Sequence, residues 1–238
     1  MIRILSLFLL FTVSPILSAN INPKDFREKK EILPIISKSD VLSTMILGAV
    51  EDPKLAPQPE VIQLAVSGYL NLLEEGKIEE GSPLSVIDFS LPSSKERLWI
   101  FDLNEGKLLY HSLVSHGRNS GDLMARKFSN INASFMSSLG FYVTGETYQG
   151  KHGYSLRLDG VEKGFNDLAR ERAIVIHGAD YANKEFVKNT GRLGRSLGCP
   201  ALPMNIYKEV INTIKDGSCL FIYGNDDEYL SKSPLINA

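Results

Sequence analysis

Short runs of β-branched and aromatic residues recur from Ser85 onward and constrain the fold class. Gly, Ser and Asn bound each run, which is the pattern of strands joined by turns. Asn104-Glu105-Gly106 predicts a tight turn, so the first three strands should form a meander. Helices do not alternate regularly with the strands, which argues against a parallel doubly wound sheet, and we expect a mainly β domain of antiparallel strands over residues 85–225. The predicted strands are residues 85–90, 97–103, 107–114, 140–144, 154–158, 172–176 and 218–223.

Two segments carry a helical pattern. From Glu60 to Glu75 apolar residues recur at spacings of three and four, and Gly76 ends the pattern. A second helix is predicted over residues 205–215, between a proline and a glycine. We therefore expect residues 20–80 to form a helical N-terminal addition to the β domain and residues 226–238 to form a C-terminal tail.

Residues 1–19 resemble a secretory signal, with a positive start, an apolar centre and the small residue Ala19 at the end. Thr12 and Pro15 interrupt the apolar stretch, which is too short to cross a membrane. The pattern predicts cleavage near Asn20, a periplasmic or secreted mature protein and no stable membrane span.

Charge and metal-binding patterns exclude other classes of function. The chain has 26 Lys and Arg and 28 Asp and Glu, which are not segregated along the sequence, so no nucleic-acid partner is expected. The histidines form no H-E-x-x-H and the cysteines no C-x-x-C, so neither a metal nor another cofactor is predicted. We expect a monomer.

Cys199 and His177 are the candidate catalytic pair. Cys199 lies in a glycine-flanked turn, and His177-Gly178 ends a β-branched run 22 residues upstream, 199 − 177. A histidine can take the proton of a thiol whose sulfur then attacks a carbonyl. In this turn the backbone N–H groups of Gly198 and Cys199 are expected to point at an oxyanion. Such activation predicts that Cys199 is alkylated at a lower pH than a free thiol.

Residues expected to bind the substrate lie in two loops. Arg195 is in the same loop as Cys199, and its guanidinium can bind a carboxylate. His116-Gly-Arg118-Asn119 directly follows a predicted strand, where loops commonly line a groove. We therefore predict substrate contacts by Arg195, His116, Arg118 and Asn119.

Two alternatives concern the same turn. Exported proteins commonly form disulfides, so Cys199 could be bonded to Cys219, although Cys219 lies in a run typical of a buried strand. Gly194-Arg-Ser196-Leu-Gly198 also matches the nucleophile elbow of serine hydrolases. That fold places its histidine after the serine, whereas all four histidines here precede Ser196.

Several motifs together resemble the murein L,D-transpeptidase catalytic domain family, a relative of the YkuD type. The resemblance implies a YkuD-like fold and an exported enzyme that acts on peptidoglycan stem peptides through a cysteine thioester. It also implies that Cys199 is the nucleophile and His177 the general base, and that Gly178, Ser196 and Gly198 shape the turn and the oxyanion site. The motifs occur in the family's order and are His116-Gly-Arg-Asn-Ser-Gly121, Phe128-Ser-Asn130, Ser137-Ser-Leu-Gly-Phe-Tyr142, Gly145-Glu-Thr-Tyr148, His177-Gly178 and Gly194-Arg-Ser-Leu-Gly-Cys199-Pro-Ala.

The chain departs from the better-known members at Leu197, where they carry a second histidine. This departure predicts that proton transfer depends on His177 alone. Two other functions stay open: an L,D-carboxypeptidase or amidase-type hydrolase on the same substrate, and a non-catalytic peptidoglycan-binding envelope protein with a Cys199–Cys219 disulfide.

Overall fold

The computed structural model describes residues 37–237. The predicted signal sequence and the first part of the predicted helical region lie outside these residues. The helices are α1 Lys38–Gly48, α2 Pro59–Glu74, α3 Lys184–Thr190, α4 Tyr207–Ile214 and α5 Asp227–Lys232, with a short 3-10 helix at Pro53–Leu55. The strands are β1 Leu84–Asp88, β2 Leu98–Asp102, β3 Lys107–Ser112, β4 Gly140–Gly150, β5 Gly153–Gly160, β6 Val175–Gly178, β7 Ala201–Leu202 and β8 Cys219–Tyr223.

All eight strands of the described residues form one sheet in the order β3-β2-β1-β8-β4-β5-β6-β7. The predicted meander is confirmed, because β1 pairs with β2 and β2 with β3 in antiparallel fashion. Five of the seven pairings are antiparallel, whereas β1–β8 and β6–β7 are parallel. The prediction of a β-rich fold with helices at its N-terminal side is thus confirmed, and the sheet is mixed.

The last strand, β8, lies in the middle of the sheet between β1 and β4. Its residues from Cys219 to Ile222 are buried, as expected for a strand covered on both faces. Residue 219 therefore contributes to the core and is not exposed to solvent.

The N-terminal helices pack into the same core as the sheet. Helix α2 buries Ile62 and Leu72 in the cluster that also contains the β4 residue Phe141. Gly68 is required for this contact, because a Cβ at that position would lie 2.1 Å from the Phe141 ring. The indole of Trp99 in β2 donates a hydrogen bond to the Leu55 carbonyl at 2.8 Å. Within residues 37–237, no helix has both the length and the apolar character needed to span a bilayer.

Strand β6 begins three residues later than predicted. Ala173 has a φ of 54°, which interrupts the extended conformation between residue 172 and the strand. His177 consequently lies inside β6, between β5 and β7, where Ser155 and Ala201 are its register partners. Helices α3 and α5 and the two-residue strand β7 were not predicted.

Candidate active site

His177 is a buried histidine whose tautomer is fixed by the backbone. Its side chain is 2% exposed, and its Nδ1 donates a hydrogen bond to the Gly178 carbonyl at 2.9 Å. Because that carbonyl can only accept, Nδ1 carries the proton and Nε2 is left as the base. Burial lowers the pKa of His177, the Gly178 carbonyl opposes this shift, and His152 adds to it. His177 is thus held as a neutral imidazole, the form that a general base requires.

Cys199 is a half-buried thiol two residues before β7. The parallel pairing of His177 with Ala201 brings the loop of Cys199 alongside β6. The thiol donates to the Ala173 carbonyl at 3.6 Å, and within residues 37–237 it forms no hydrogen bond with His177. Burial raises the pKa of Cys199. The expectation of a lowered thiol pKa is therefore wrong, because desolvation exceeds the attraction of the neighbouring positive charge and N–H groups.

Side-chain and backbone hydrogen bonds fix the turn around Cys199. Ser196 Oγ donates to the Cys199 carbonyl at 2.6 Å and accepts from the Gly198 N–H at 3.1 Å. Ser137 Oγ donates to the Gly198 carbonyl at 3.0 Å. Gly198 has a φ of +127°, and a Cβ there would lie 2.8 Å from the Met136 carbonyl oxygen. Only glycine fits this position.

These bonds change the expected oxyanion site. The Gly198 N–H is occupied by Ser196 Oγ and is not free to bind an oxyanion. Among the residues that the structure describes, the Cys199 N–H has no hydrogen-bond acceptor. Ser196 is itself buried and engaged through its hydroxyl, so the nucleophile-elbow interpretation has no support.

His116 is bonded through its backbone to the loop that carries Cys199, and its side chain does not reach solvent. Its side chain is fully buried, and its Nδ1 accepts a hydrogen bond from Arg97 Nη2 at 2.7 Å. Burial lowers the pKa of His116 to about 4, and the charge of Arg97 acts in the same direction. The His116 carbonyl accepts from the Ser196 N–H at 3.0 Å. His116 therefore has a structural role in place of the predicted substrate contact.

Of the other three predicted substrate residues, Arg118 and Asn119 are exposed and Arg195 is half-buried, all in the same two loops. The Arg118 guanidinium lies 4.3 Å from the centroid of the Phe135 ring, and Asn119 Nδ2 donates to the Ser134 carbonyl at 2.8 Å. Arg195 donates to the Gly121 carbonyl at 3.0 Å and forms an ion pair with Asp122 at 3.3 Å. Their contact with a substrate stays a prediction.

Arg172 is a residue near the thiol that was not predicted for the site. Its guanidinium is half-buried and donates only to neutral oxygens in the described residues, those of Ser129, Ser134, Met136 and Ser138. Because no carboxylate there neutralises it, its charge acts on Cys199 and lowers the pKa of that thiol against the effect of burial. The signal in the sequence was a basic residue at the start of the histidine strand.

His152 is a second residue that sequence reasoning left out of the site. It is exposed in the turn between β4 and β5, and its ring stacks on that of His177, with centroids 4.3 Å apart and planes at 19°. A histidine at a glycine-flanked hairpin tip was the available signal, but only the fold brings it to His177.

Removing the charge of Arg172 is expected to move alkylation of Cys199 to higher pH. Arg172→Gln takes away the cation that favours the thiolate, so the pKa of Cys199 should rise further above its ordinary value. Arg172→Lys keeps the charge and should shift the profile less. The measurement is the rate of iodoacetamide labelling against pH by intact mass.

Arg170→Gln is the matched control, because Arg170 is bound at the surface to Glu146 and Asp159. It should leave the alkylation profile unchanged. An equal shift in the Arg170 and Arg172 variants would contradict a specific effect of Arg172.

Both cysteines are free thiols. Cys219 is fully buried in β8, whereas Cys199 lies in the loop before β7. The alternative with a Cys199–Cys219 disulfide is therefore wrong.

A family model for the L,D-transpeptidase catalytic domain, YkuD_2, matches residues 54–223. Comparison with curated proteins gave no significant match. Solved structures similar to this chain include an L,D-transpeptidase from Mycobacterium smegmatis, with 13% identity, 60% of this chain and 59% of that chain covered and a TM-score of 0.39. L,D-transpeptidase 3 from Mycobacterium tuberculosis has 11% identity, 60% and 61% coverage and a TM-score of 0.39. L,D-transpeptidase (Yku) from Stackebrandtia nassauensis has 13% identity, 79% and 92% coverage and a TM-score of 0.36.

Because these structural scores are low, the assignment depends on the family model. That model spans most of the chain and includes every strand of the sheet and the turn that carries Cys199. The chain belongs to the L,D-transpeptidase catalytic domain family.

Proposed function

We propose that this protein is an exported cysteine L,D-transpeptidase that acts on peptidoglycan stem peptides. The observation that supports it most is the β6–β7 pairing, which brings the loop of Cys199 alongside a buried, neutral His177 with a free Nε2. Membership of the L,D-transpeptidase family supports the substrate class. The signal-like pattern of residues 1–19 supports export to the periplasm or beyond, where peptidoglycan lies.

In the first half of the proposed reaction, the thiol turns from the Ala173 carbonyl and gives its proton to His177 Nε2. The sulfur attacks the carbonyl carbon of the L-residue that precedes a terminal D-amino acid. The Cys199 N–H, which is free of other partners in the described residues, donates to the resulting oxyanion. His177 then protonates the leaving amine, the C–N bond breaks and a thioester remains on Cys199.

In the second half, an amine of a neighbouring stem attacks the thioester carbonyl. His177 takes a proton from the attacking amine and returns it to the departing sulfur, which restores the neutral pair. Attack by water in place of the amine gives the hydrolytic outcome, that of an L,D-carboxypeptidase. No metal or redox group takes part in this sequence of steps.

Intact-mass measurement with a tetrapeptide stem tests the proposal. The expected result is a mass increase equal to the stem minus its terminal D-amino acid, located on Cys199 by peptide mapping. A carbapenem, which acylates with its whole mass, is a second probe. Cys219→Ala should form the same adduct, because Cys219 is buried in the core. The absence of any adduct on a protein whose Cys199 is readily alkylated would overturn the proposal.

Adding an amine acceptor to the acylated protein separates transfer from hydrolysis. Release of a cross-linked product at a rate that depends on acceptor concentration is expected for a transpeptidase. Release of the free acid alone, at an unchanged rate, would assign the hydrolytic alternative.

A further inference from the structure

The tip of the β4–β5 hairpin covers the candidate general base. We propose that His152 is a positioning residue that holds the His177 ring in its catalytic orientation and covers one face of that ring. This inference rests on the proposed function, because it takes His177 as the base for Cys199. It also supplies a second histidine to a site in which Leu197 replaces the one found in better-known relatives.

The β4–β5 hairpin places His152 next to His177 directly, so no loop has to move to bring the two rings together. Strands β4 and β5 are joined by Lys151 and His152 alone, and Gly153 has a φ of +76°, which is typical of such a short turn. Strand β5 continues next to β6, with Ser155 in register with His177. The turn is therefore tied through the sheet to the strand that carries the base.

Within the described part of the chain, the ring of His152 makes one aromatic contact, the stack on His177. Although His152 is exposed, its ring lies 4.3 Å from the His177 centroid at 19°. Within residues 37–237 neither of its ring nitrogens forms a hydrogen bond. Its neighbour Lys151 is equally exposed, so the hairpin places only one of its two tip residues on the base.

The stack limits tilting of the His177 ring, which its single backbone hydrogen bond does not prevent. The Nδ1 bond to Gly178 fixes which nitrogen is protonated, but it is a single contact. A parallel ring against the imidazole face limits tilting about that contact and keeps water from the face. Since a base must be aligned with the proton it takes, loss of the stack should reduce the rate of acylation more than substrate binding.

His152 affects His177 electrostatically as well as through the contact between the two rings. Tyr207 of α4 packs against Gly178, the residue after His177, and in the neighbouring loop the Arg172 guanidinium acts on the Cys199 thiol. Coulombic repulsion from His152 lowers the pKa of His177. His152 thus helps to keep the base neutral before substrate binds.

Two substitutions separate the ring from its charge. His152→Ala removes both and should lower kcat for acylation about tenfold with little change in KM. His152→Phe keeps a flat ring and should restore kcat to within about threefold of the natural protein. In both variants the pKa of His177, followed by NMR of the imidazole, should rise, because the repulsion from His152 is gone.

Lys151→Ala is the control for the hairpin itself, and it should behave as the natural protein in both measurements. Natural kcat and an unchanged His177 pKa in His152→Ala would overturn the inference. Equal losses in the Lys151 and His152 variants would also overturn it, since they would indicate a general effect of the turn. Failure of the natural protein to form any acyl adduct on Cys199 would instead contradict the proposed function.

Discussion

Replacing Cys199 by alanine should abolish the acyl adduct and lower turnover by at least about 10³-fold. The sulfur forms the bond to the substrate carbonyl, and no second nucleophile lies in the same turn, because the Ser196 hydroxyl is engaged with the backbone. The fold should survive, since the thiol contributes only a weak hydrogen bond to the Ala173 carbonyl. Turnover of a tetrapeptide stem and intact mass after incubation are the measurements.

Cys199→Ser is a more conservative substitution that tests the same role of the sulfur. It keeps a donor for the Ala173 carbonyl and nearly the same shape, but its hydroxyl is much less acidic than a thiol. It should therefore be as inactive as Cys199→Ala while melting at the natural temperature. Substantial turnover by either variant would remove Cys199 from the mechanism, and Cys219→Ala should retain activity as the control.

Replacing Arg97 by alanine should reduce the free energy of unfolding by about 3–5 kcal/mol. The guanidinium is fully buried and donates to the Leu91 carbonyl at 2.7 Å, the Val114 carbonyl at 3.0 Å and His116 Nδ1 at 2.7 Å. Burial lowers the pKa of Arg97 to about 9, and the buried carboxylate of Asp88 opposes that shift. Its removal leaves these three acceptors without the guanidinium donor and takes away the positive charge that lies near the buried Asp88.

Urea denaturation measures this effect, and Arg126→Ala is its control because Arg126 is exposed and its guanidinium forms no hydrogen bond or ion pair within residues 37–237. The control should change stability by no more than about 0.5 kcal/mol. Arg97→Lys should lie between the two, since an ammonium cannot reach all three acceptors in the same geometry. A loss below about 1 kcal/mol in Arg97→Ala would show that the cluster contributes little to folding.

Substitution of Arg97 should also affect activity, because the backbone of His116 links Arg97 to the turn that carries Cys199. His116 depends on Arg97 for its position, and its carbonyl accepts from the Ser196 N–H in the nucleophile turn. Folded Arg97→Lys should therefore show slower acylation of Cys199, while alkylation by a small reagent remains.

Local patterns were enough to predict the meander and helix α2, and they identify Cys199 and His177 as candidates for catalysis. The turn at residues 104–106 and the helical spacing from Glu60 act over a few residues, so the sequence displays them directly. The parallel pairing of β1 with β8 joins segments more than 130 residues apart, 219 − 84 = 135. No local sequence pattern indicates this pairing. For the same reason β8 was recognised as buried but not as central.

Sequence analysis grouped the residues of the candidate site that are neighbours in the chain, and it did not group those that only the fold brings together. Cys199, Ser196 and Gly198 belong to one turn, so their association is visible in the sequence. His152 and Arg172 reach His177 and Cys199 only through the β5–β6 pairing and the bend at Ala173. The burial of His116 was missed because its partner Arg97 lies in another strand region, 19 residues earlier.

The central place of β8 has a consequence for how the protein is made. Until Cys219–Tyr223 is available, β1 and β4 each present an open edge, and the two parts of the sheet have no strand to join them. The sheet therefore cannot be completed during synthesis until the segment that forms β8 has been made, although the other seven strands of the described residues all precede it.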